Sequence, residues 1–489
     1  MGLVQTLLSI GSLNAAALAV AALLFAVAFY RLHLHPLSHI PGPWFAAVSS
    51  VWMHAICYFG VEGHVLLDYH RKYKTAVLRI GPDSVSIADG EALHQVYVAG
   101  GGLPKDARYS NFRVEGHDTI FSAVDQNYRD RRAKAVLPLF APSRIQSAYE
   151  TDGVMEPLVA KFVAQLQEAR AKPDAKIDVL DLCSRLSIDI LTAYLFGCVY
   201  GGLDEPRRRP QDKLSATPFV LTIVALSRFS LLSNRLFTLL FSVLFHHRMR
   251  SDPELAPSLQ AVSRFAESVV DGPSSKADTY QSRLRDAGID REETLVQCKA
   301  VMFAGADSTA VVLATILFHL VQNPQVRERA RAEASTAADP QSLPYLRAIV
   351  REGLRVAMAN PARLTRLVPT GGLRLADGTY LPAGTKVGAA AYVLHHDPAV
   401  YPDPFVFRPE RWLAAGQAST DAQARNAFAF GLGPRACLGR NLANHQLHAV
   451  VKAVLASGVL EGARTCTDRI RLIEWFNAEI KGHELEIAW

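Results

Sequence analysis

The chain of 489 residues holds only six cysteines: Cys57, Cys183, Cys198, Cys298, Cys437 and Cys466. No two of them form a C-x-x-C pair or share a regular spacing. A disulfide framework is therefore excluded, and most of these thiols are expected as small apolar core groups. There is no Lys/Arg-rich tract and no aromatic–basic repeat, which argues against nucleic acid as a partner. The net charge of +6 and pI of about 8.9 suit an acidic protein partner or a membrane surface. Internal repeats and low-complexity linkers are also missing, so nothing supports a second globular domain. With 49% hydrophobic and 20% charged residues, the composition is that of a folded chain with a large core.

Charge is absent altogether from the first thirty residues. The run LLSIGSLNAAALAVAALLFAVAFY, residues 7–30, is long enough for a bilayer core, which needs about 20 apolar residues. A cleaved signal peptide has a basic start and a shorter apolar centre, and this segment has neither. Residues 1–30 are thus expected to form an uncleaved, single-pass anchor. Arg31 follows at once and favours a cytosolic location for the rest of the chain. MGLVQT fits the myristoylation pattern, but a spanning helix makes a lipid redundant and carries Gly2 to the far side. Residues 31–45 contain HPLSHIPGPW, a proline-rich hinge that cannot continue the helix. Residues 46–489 are expected to form one domain.

Within that domain, TAVLRIGPDSVSIAD (75–89) predicts a strand pair turning at Gly81-Pro82, and 371–397 predicts a small sheet. Helical periods dominate from about residue 127 onward. The apolar stretch 218–247 admits two readings, buried core helices or amphipathic segments touching a membrane. The segment from Glu292 to Asn323 predicts a long central helix. Its Lys299, Asp307 and His319 argue for a core position rather than a bilayer span.

One cysteine has an unusual setting. Cys437 lies in FAFGLGPRACLGRNLAN, residues 428–444. Gly431, Gly433 and Gly439 allow positive φ and close approach. Arg435 places a permanent charge beside the thiol, and the following helix pattern puts Cys437 near a helix N-terminus, where a thiolate is favoured. His445 and His448 lie along a helix running away from it, so a nucleophile–base pair and a zinc site both fit poorly. A lone thiolate as axial ligand to haem iron remains.

From Phe430 to Gly439 the loop resembles the cytochrome P450 pattern F-x-x-G-x-R-x-C-x-G at every fixed place. Glu352 and Arg355 match the E-x-x-R of that family, and FRPERW, 407–412, matches its F-x-P-E-R-W segment. The resemblance implies a structural triad of Glu352, Arg355 and Arg411. AGADST, 304–309, is similar to the family's oxygen-binding helix. It implies that Gly305 leaves room at the cofactor and that Asp307 with Ser308 or Thr309 delivers protons. Serine replaces the usual threonine at 308, which puts the coupling of oxygen use to product in question. Tyr128 and Arg132 resemble the W-x-x-x-R propionate motif. Arg366, Arg435 and Phe430 complete the implied cofactor contacts, with Cys437 as the metal ligand.

The fold implied is the mainly α cytochrome P450 fold with a small β-sheet region, preceded by a transmembrane helix. The implied cofactor is haem b (iron protoporphyrin IX). The implied reaction is monooxygenation, with electrons from NADPH-cytochrome P450 reductase and cytochrome b5 as a second candidate donor. Arg129, Arg131, Arg132, Lys134 and Arg440 form a candidate docking face. The substrate is expected to be a lipophilic small molecule, bound by parts of 101–124, 219–245, 356–364 and 475–477. The hinge looks like that of microsomal members, especially fungal ones of natural-product biosynthesis, so the endoplasmic reticulum membrane is the expected location. Epoxidation, desaturation, ring coupling or rearrangement are alternatives to hydroxylation, and a non-catalytic membrane haem protein is a rival class.

Overall fold

The computed structural model describes residues 2–150, 153–172, 174–205, 213–272, 278–336, 339–413 and 417–489. Helix α1 (Gly2–Phe29) continues into a π turn, Tyr30–Leu34, so the helical rod runs past residue 30. Its segment Asn14–Leu34 has a mean hydropathy of 2.1 and is 0% buried by the rest of the chain. His35 ends the rod in an extended conformation, as its position before Pro36 requires.

The hinge is stiff because it is docked. Arg79 N donates to Pro41 O at 2.7 Å, and a Cβ on Gly42 would lie 2.2 Å from Arg79 O. Only glycine permits that approach. After the hinge and the short helix α2 (Val51–Tyr58), strands β1 (Val77–Gly81) and β2 (Ser84–Ile87) form the predicted antiparallel pair around Pro82-Asp83. They join β3 (Arg366–Leu367) and β4 (Lys386–Ala389) in the order β1-β2-β4-β3. β2 and β4 run parallel, which ties chain segments three hundred residues apart. The strand pieces expected at 371–397 are thereby divided: Leu373–Arg374 and Tyr380–Leu381 pair with each other, whereas Lys386–Ala389 enters the larger sheet.

The remaining landmarks are helices α3 (Gln126–Val136), α4 (Val179–Phe196), α5 (Thr217–Leu226), α6 (Asn234–Ser251), α7 (Arg291–Gln322), α8 (Pro344–Ala357) and α9 (Arg440–Ser457), followed by the strand pair β5 (Leu472–Ile473) and β6 (Glu479–Ile480). Asp290 caps α7 by accepting from Glu293 N at 2.8 Å, and Glu292 and Glu293 suit the positive end of the helix dipole. The most apolar part of α7 is 72% buried, so this is a core helix. It packs along α4, which is buried on nearly every face, and both belong to the main hydrophobic core.

The two readings of 218–247 are each realised in part. Val220, Thr222 and Val224 of α5 are buried. In α6 only Phe237 is buried, while Leu239 and Val243 are 65% and 60% exposed.

Candidate active site

The loop before α9 is wound by local hydrogen bonds. Cys437 N donates to Phe430 O at 2.9 Å and Ala436 N to Gly433 O at 3.0 Å. Gly431 and Gly433 have φ of 64° and 72°. A Cβ on Gly433 would lie 1.8 Å from Tyr97 O, so glycine is required there for conformation and space together. The Cys437 thiol is accessible, yet burial among surrounding chain atoms pushes its pKa up. It therefore lines an interior chamber rather than the outer surface. The backbone N–H groups of Gly439 and Arg440 act the other way, as does the Arg440 charge. The helix-end stabilisation expected from sequence is present but outweighed by burial. A bound metal cation would reverse that balance, since a coordinating thiol loses its proton outright.

The triad residues meet in the interior. Glu352 is fully buried. Arg355 donates to both its oxygens, at 2.8 and 3.0 Å, and Arg411 Nε donates at 3.1 Å. Arg408 N and Trp412 Nε1 fill the remaining acceptor sites at 2.9 Å each. Burial alone would raise the Glu352 pKa, but Arg355, the Arg408 N–H and Arg411 hold it below its usual value. The link from triad to thiol loop passes through His395. Its Nδ1 faces Arg355 O at 3.2 Å, and its Nε2 accepts from Phe428 N at 3.1 Å. Burial holds its pKa at about 3, so the ring is neutral and can accept that bond. Nothing in the local sequence distinguishes His395 from His396.

A second charge cluster is built differently. Arg435 donates to Gln126 Oε1 at 2.8 Å, Ala123 O at 2.7 Å and Val124 O at 3.2 Å. Arg366 NH1 donates to Thr365 O at 3.1 Å. Buried Lys105 donates to Phe121 O and lies 4.1 Å from the Tyr109 ring centre. Arg129 is buried, and its Nε has no hydrogen-bond partner. Burial, then Arg129 and Arg366, bring the Arg435 pKa down to about 10. Burial, then Arg366, Arg435 and Arg129, lower that of Lys105. The four cations thus repel one another, and Asp130, bonded to Arg129 at 3.0 Å, is the one carboxylate paired with any of them among the described residues. Such a cluster fits a ligand carrying two carboxylates, as the two propionates of haem do.

The structure places three groups of the expected residues as follows. Arg132 does not join that cluster: it donates to Glu293 at the start of α7, with NH2 at 2.6 Å, and stacks on Tyr128 at 3.3 Å. Tyr128 OH bonds Asp118 O at 2.7 Å and Glu293. The poorly exposed carboxylate of Glu293 needs a cation and takes Arg132, so Arg129 and Lys105 stand where Tyr128 and Arg132 were expected. Gly305 is partly exposed, and a Cβ there would lie 1.9 Å from Leu191 Cδ1, so it also serves the close packing of α7 on α4. Ala304 beside it is the more exposed small residue. Lastly, Arg129 and Arg132 are buried, which reduces the expected docking face to Arg131, Lys134 and Arg440.

Ser308 shares the accessible face of α7 with Ala304 and donates to Ala304 O at 2.8 Å. Asp307 and Thr309 are buried. Burial, with Glu479 second, raises the Asp307 pKa to about 7. Phe430 is half-buried beside the thiol loop. Beside Lys105 the chain is aromatic: Phe112, Phe121 and Phe476 have ring centres 4.6–5.6 Å apart, and Lys105 lies over the Phe121 ring. Among the described residues no group of three or more His, Cys, Asp or Glu side chains could hold a metal ion. Metal binding at Cys437 thus requires a cofactor that brings its own ligands.

The family model for cytochrome P450 matches residues 49–457. The chain is 50% identical over 479 residues to cytochrome P450 monooxygenase mfmF of Annulohypoxylon moriforme, covering 94% of this chain and 96% of that one. It is 26% identical over 474 residues to cytochrome P450 monooxygenase aneF of Aspergillus aculeatus, covering 92% and 94%. With cytochrome P450 monooxygenase macH of Penicillium terrestre it shares 28% identity over 463 residues, 88% of each chain. The matched length, the lone thiol loop and the unbalanced cation cluster agree: the chain belongs to the cytochrome P450 family and is a haem-thiolate monooxygenase.

Proposed function

We propose that this enzyme inserts oxygen into a lipophilic small molecule in fungal natural-product biosynthesis, using haem b and NADPH-derived electrons from a cytochrome P450 reductase. The observation that carries it is Asp307 beside Ser308, on the helix that exposes Ala304. The names of the fungal relatives support the reaction class, and the aromatic cluster of Phe112, Phe121 and Phe476 supports the substrate class.

Haem bound here would supply the oxidising chemistry with dioxygen. Cys437 would hold the iron through Sγ. Lys105, Arg129, Arg366 and Arg435 would neutralise the propionates. Asp307, with a pKa of about 7, is partly protonated at neutral pH and suited to give up and regain a proton. Ser308 Oγ keeps acceptor capacity while donating to Ala304 O. A non-catalytic haem carrier would not need a buried acid there. Epoxidation, desaturation, ring coupling and rearrangement use the same groups and are separated by product analysis.

The apolar rod Asn14–Leu34 supports a single membrane anchor, with residues 46–489 as the catalytic domain and the endoplasmic reticulum as its membrane. Exposed Trp44, Val51, Phe59, Leu239 and Val243 support contact of α2 and α6 with the same bilayer. Arg131, Lys134 and Arg440 remain as the candidate surface for the reductase or cytochrome b5.

The test is the reduced, carbon monoxide-bound difference spectrum of membranes holding the protein, with Cys437→Ala as control. A Soret band at the thiolate position, absent from the control, is expected. An unchanged band in Cys437→Ala would overturn the assignment. NADPH consumption with a reductase and extracts of candidate substrates then tests turnover.

A further inference from the structure

Outside the Cys437 chamber, a groove of about 550 Å³ opens where the apolar rod meets the globular part. Tyr30 and Arg31 form one side, Ser49 to Val51 and His54 a second, and Asp83 with Lys386 a third. Its lining also holds two exposed apolar side chains, Val51 at 71% and Tyr30 at 48% exposure.

Charge in this groove is unbalanced. Lys386 Nζ pairs with Asp83 Oδ2 at 2.9 Å. Arg31 NH1 donates to Val48 O at 2.6 Å, and among the described residues Arg31 has no ion pair. Immediately behind, Arg79 donates to the carbonyls of Gly81, Arg31 and Pro82 at 3.3, 2.8 and 3.0 Å, again without a carboxylate. Three cations therefore stand against one acid. Burial and then Arg31 lower the Arg79 pKa, and burial and then Arg79 lower that of His35, while Asp83 acts the other way on both. The rigid hinge holds the groove in place, since Arg79 binds both Arg31 O and, through its own N–H, Pro41 O.

Position supplies the second argument. The groove lies at the end of the 21-residue segment Asn14–Leu34. A bilayer around that segment brings its headgroup layer to Arg31. We propose that the groove binds the phosphate of an anionic phospholipid headgroup, with Arg31 and Lys386 as its direct contacts and the lipid chains lying along the apolar rod. Arginine and lysine donate charge-assisted hydrogen bonds to phosphate oxygens, and the Ser49 and Ser50 hydroxyls add neutral donors. This inference rests on reading the rod as a membrane anchor.

The test uses the full-length, haem-loaded protein and two readouts. Flotation with phosphatidylcholine vesicles tests the anchor. Native mass spectrometry of detergent-solubilised protein, given phosphatidate and phosphatidylcholine together, tests the groove. Inorganic phosphate serves as soluble competitor. Arg31→Gln, Lys386→Gln and their double variant are compared with Lys172→Gln, an exposed lysine that does not line the groove. The expected result is preferential retention of phosphatidate, reduced about tenfold by loss of one charged contact, with flotation and the control unchanged. Equal retention by the double variant and the wild type would overturn the site. Binding of inorganic phosphate as tight as that of phosphatidate would overturn the lipid source. Loss of flotation in the wild type would instead overturn the anchor reading itself.

Discussion

Among the described residues, the buried charge clusters around Glu352 and around Arg435 are resolved in opposite ways. Around Glu352, every charge and nearly every lone pair finds a partner within the chain: two guanidiniums, one backbone N–H and one indole converge on one carboxylate. Around Arg435, four cations gather, and the chain answers them mainly with carbonyl oxygens. A cluster whose charges all pair with one another is a brace, because removing its carboxylate leaves two buried guanidiniums uncompensated. A cluster left positive is suited to a ligand that brings negative charge from outside.

Breaking the brace should have the largest effect. Glu352→Gln leaves Arg355 and Arg411 buried without their acid. A loss of about 3–5 kcal/mol in stability is expected, read as a lowered unfolding midpoint and a missing thiolate Soret band. If the variant stays folded and ligated, the brace is not what holds the thiol loop.

Asp307 extends the comparison to a single buried acid with no cation beside it. It is resolved by keeping its proton. Asp307→Asn should lower product formation about a hundredfold while the thiolate band is unchanged. Normal turnover would remove Asp307 from proton delivery. The sign with pH also follows. The unfolded value of an aspartate is about 3.9, and the folded value is raised to about 7. Between them the folded state holds the extra proton. Its stabilising contribution is thus complete below about pH 4 and is lost as pH rises through 7. Asp307→Asn should flatten that part of the stability–pH curve.

Weakening the positive cluster should have a smaller and more selective effect. Arg435→Leu or Lys105→Met removes one of four repelling cations. Stability without haem should hold or rise, whereas haem should dissociate about tenfold faster, the effect of one charge-assisted contact. Arg132→Leu should do the reverse: it strips Glu293 of its cation, lowers stability and leaves haem retention less changed. Parallel behaviour of Arg132→Leu and Arg435→Leu would erase the distinction drawn here. The smallest effect is expected from Ser308→Thr. The added methyl stiffens the rotamer, so the fraction of NADPH oxidised that appears as product should rise, with haem spectra unchanged.

What was legible along the chain was what short spacing controls. Cys437 with its glycines, the Glu352–Arg355 turn, the apolar run at the N-terminus and the β1–β2 turn are each settled within about ten to thirty residues. Local backbone conformation and helical periodicity set them. Gly433 illustrates how far that goes. Its positive φ was expected from the loop pattern, but the 1.8 Å approach to Tyr97 O depends on a segment far away in sequence.

Tertiary structure decided which other charges, distant in sequence, meet. Lys105 and Arg129 carry no signal of their role, because burial beside Arg366 and Arg435 is a property of packing. Arg132 sits three residues from Arg129 on the same helix, yet Glu293 draws it to another partner. Gly305 was visible as a small residue, but only the nearness of Leu191 shows which face needed it small. His395 and His396 are adjacent and chemically identical, and only the first joins the brace to the thiol loop. The sequence by itself determined the thiol, its loop and the apolar N-terminal helix, because their geometry is local. Charge pairing acts through space, so the final positions of distant segments had to decide it.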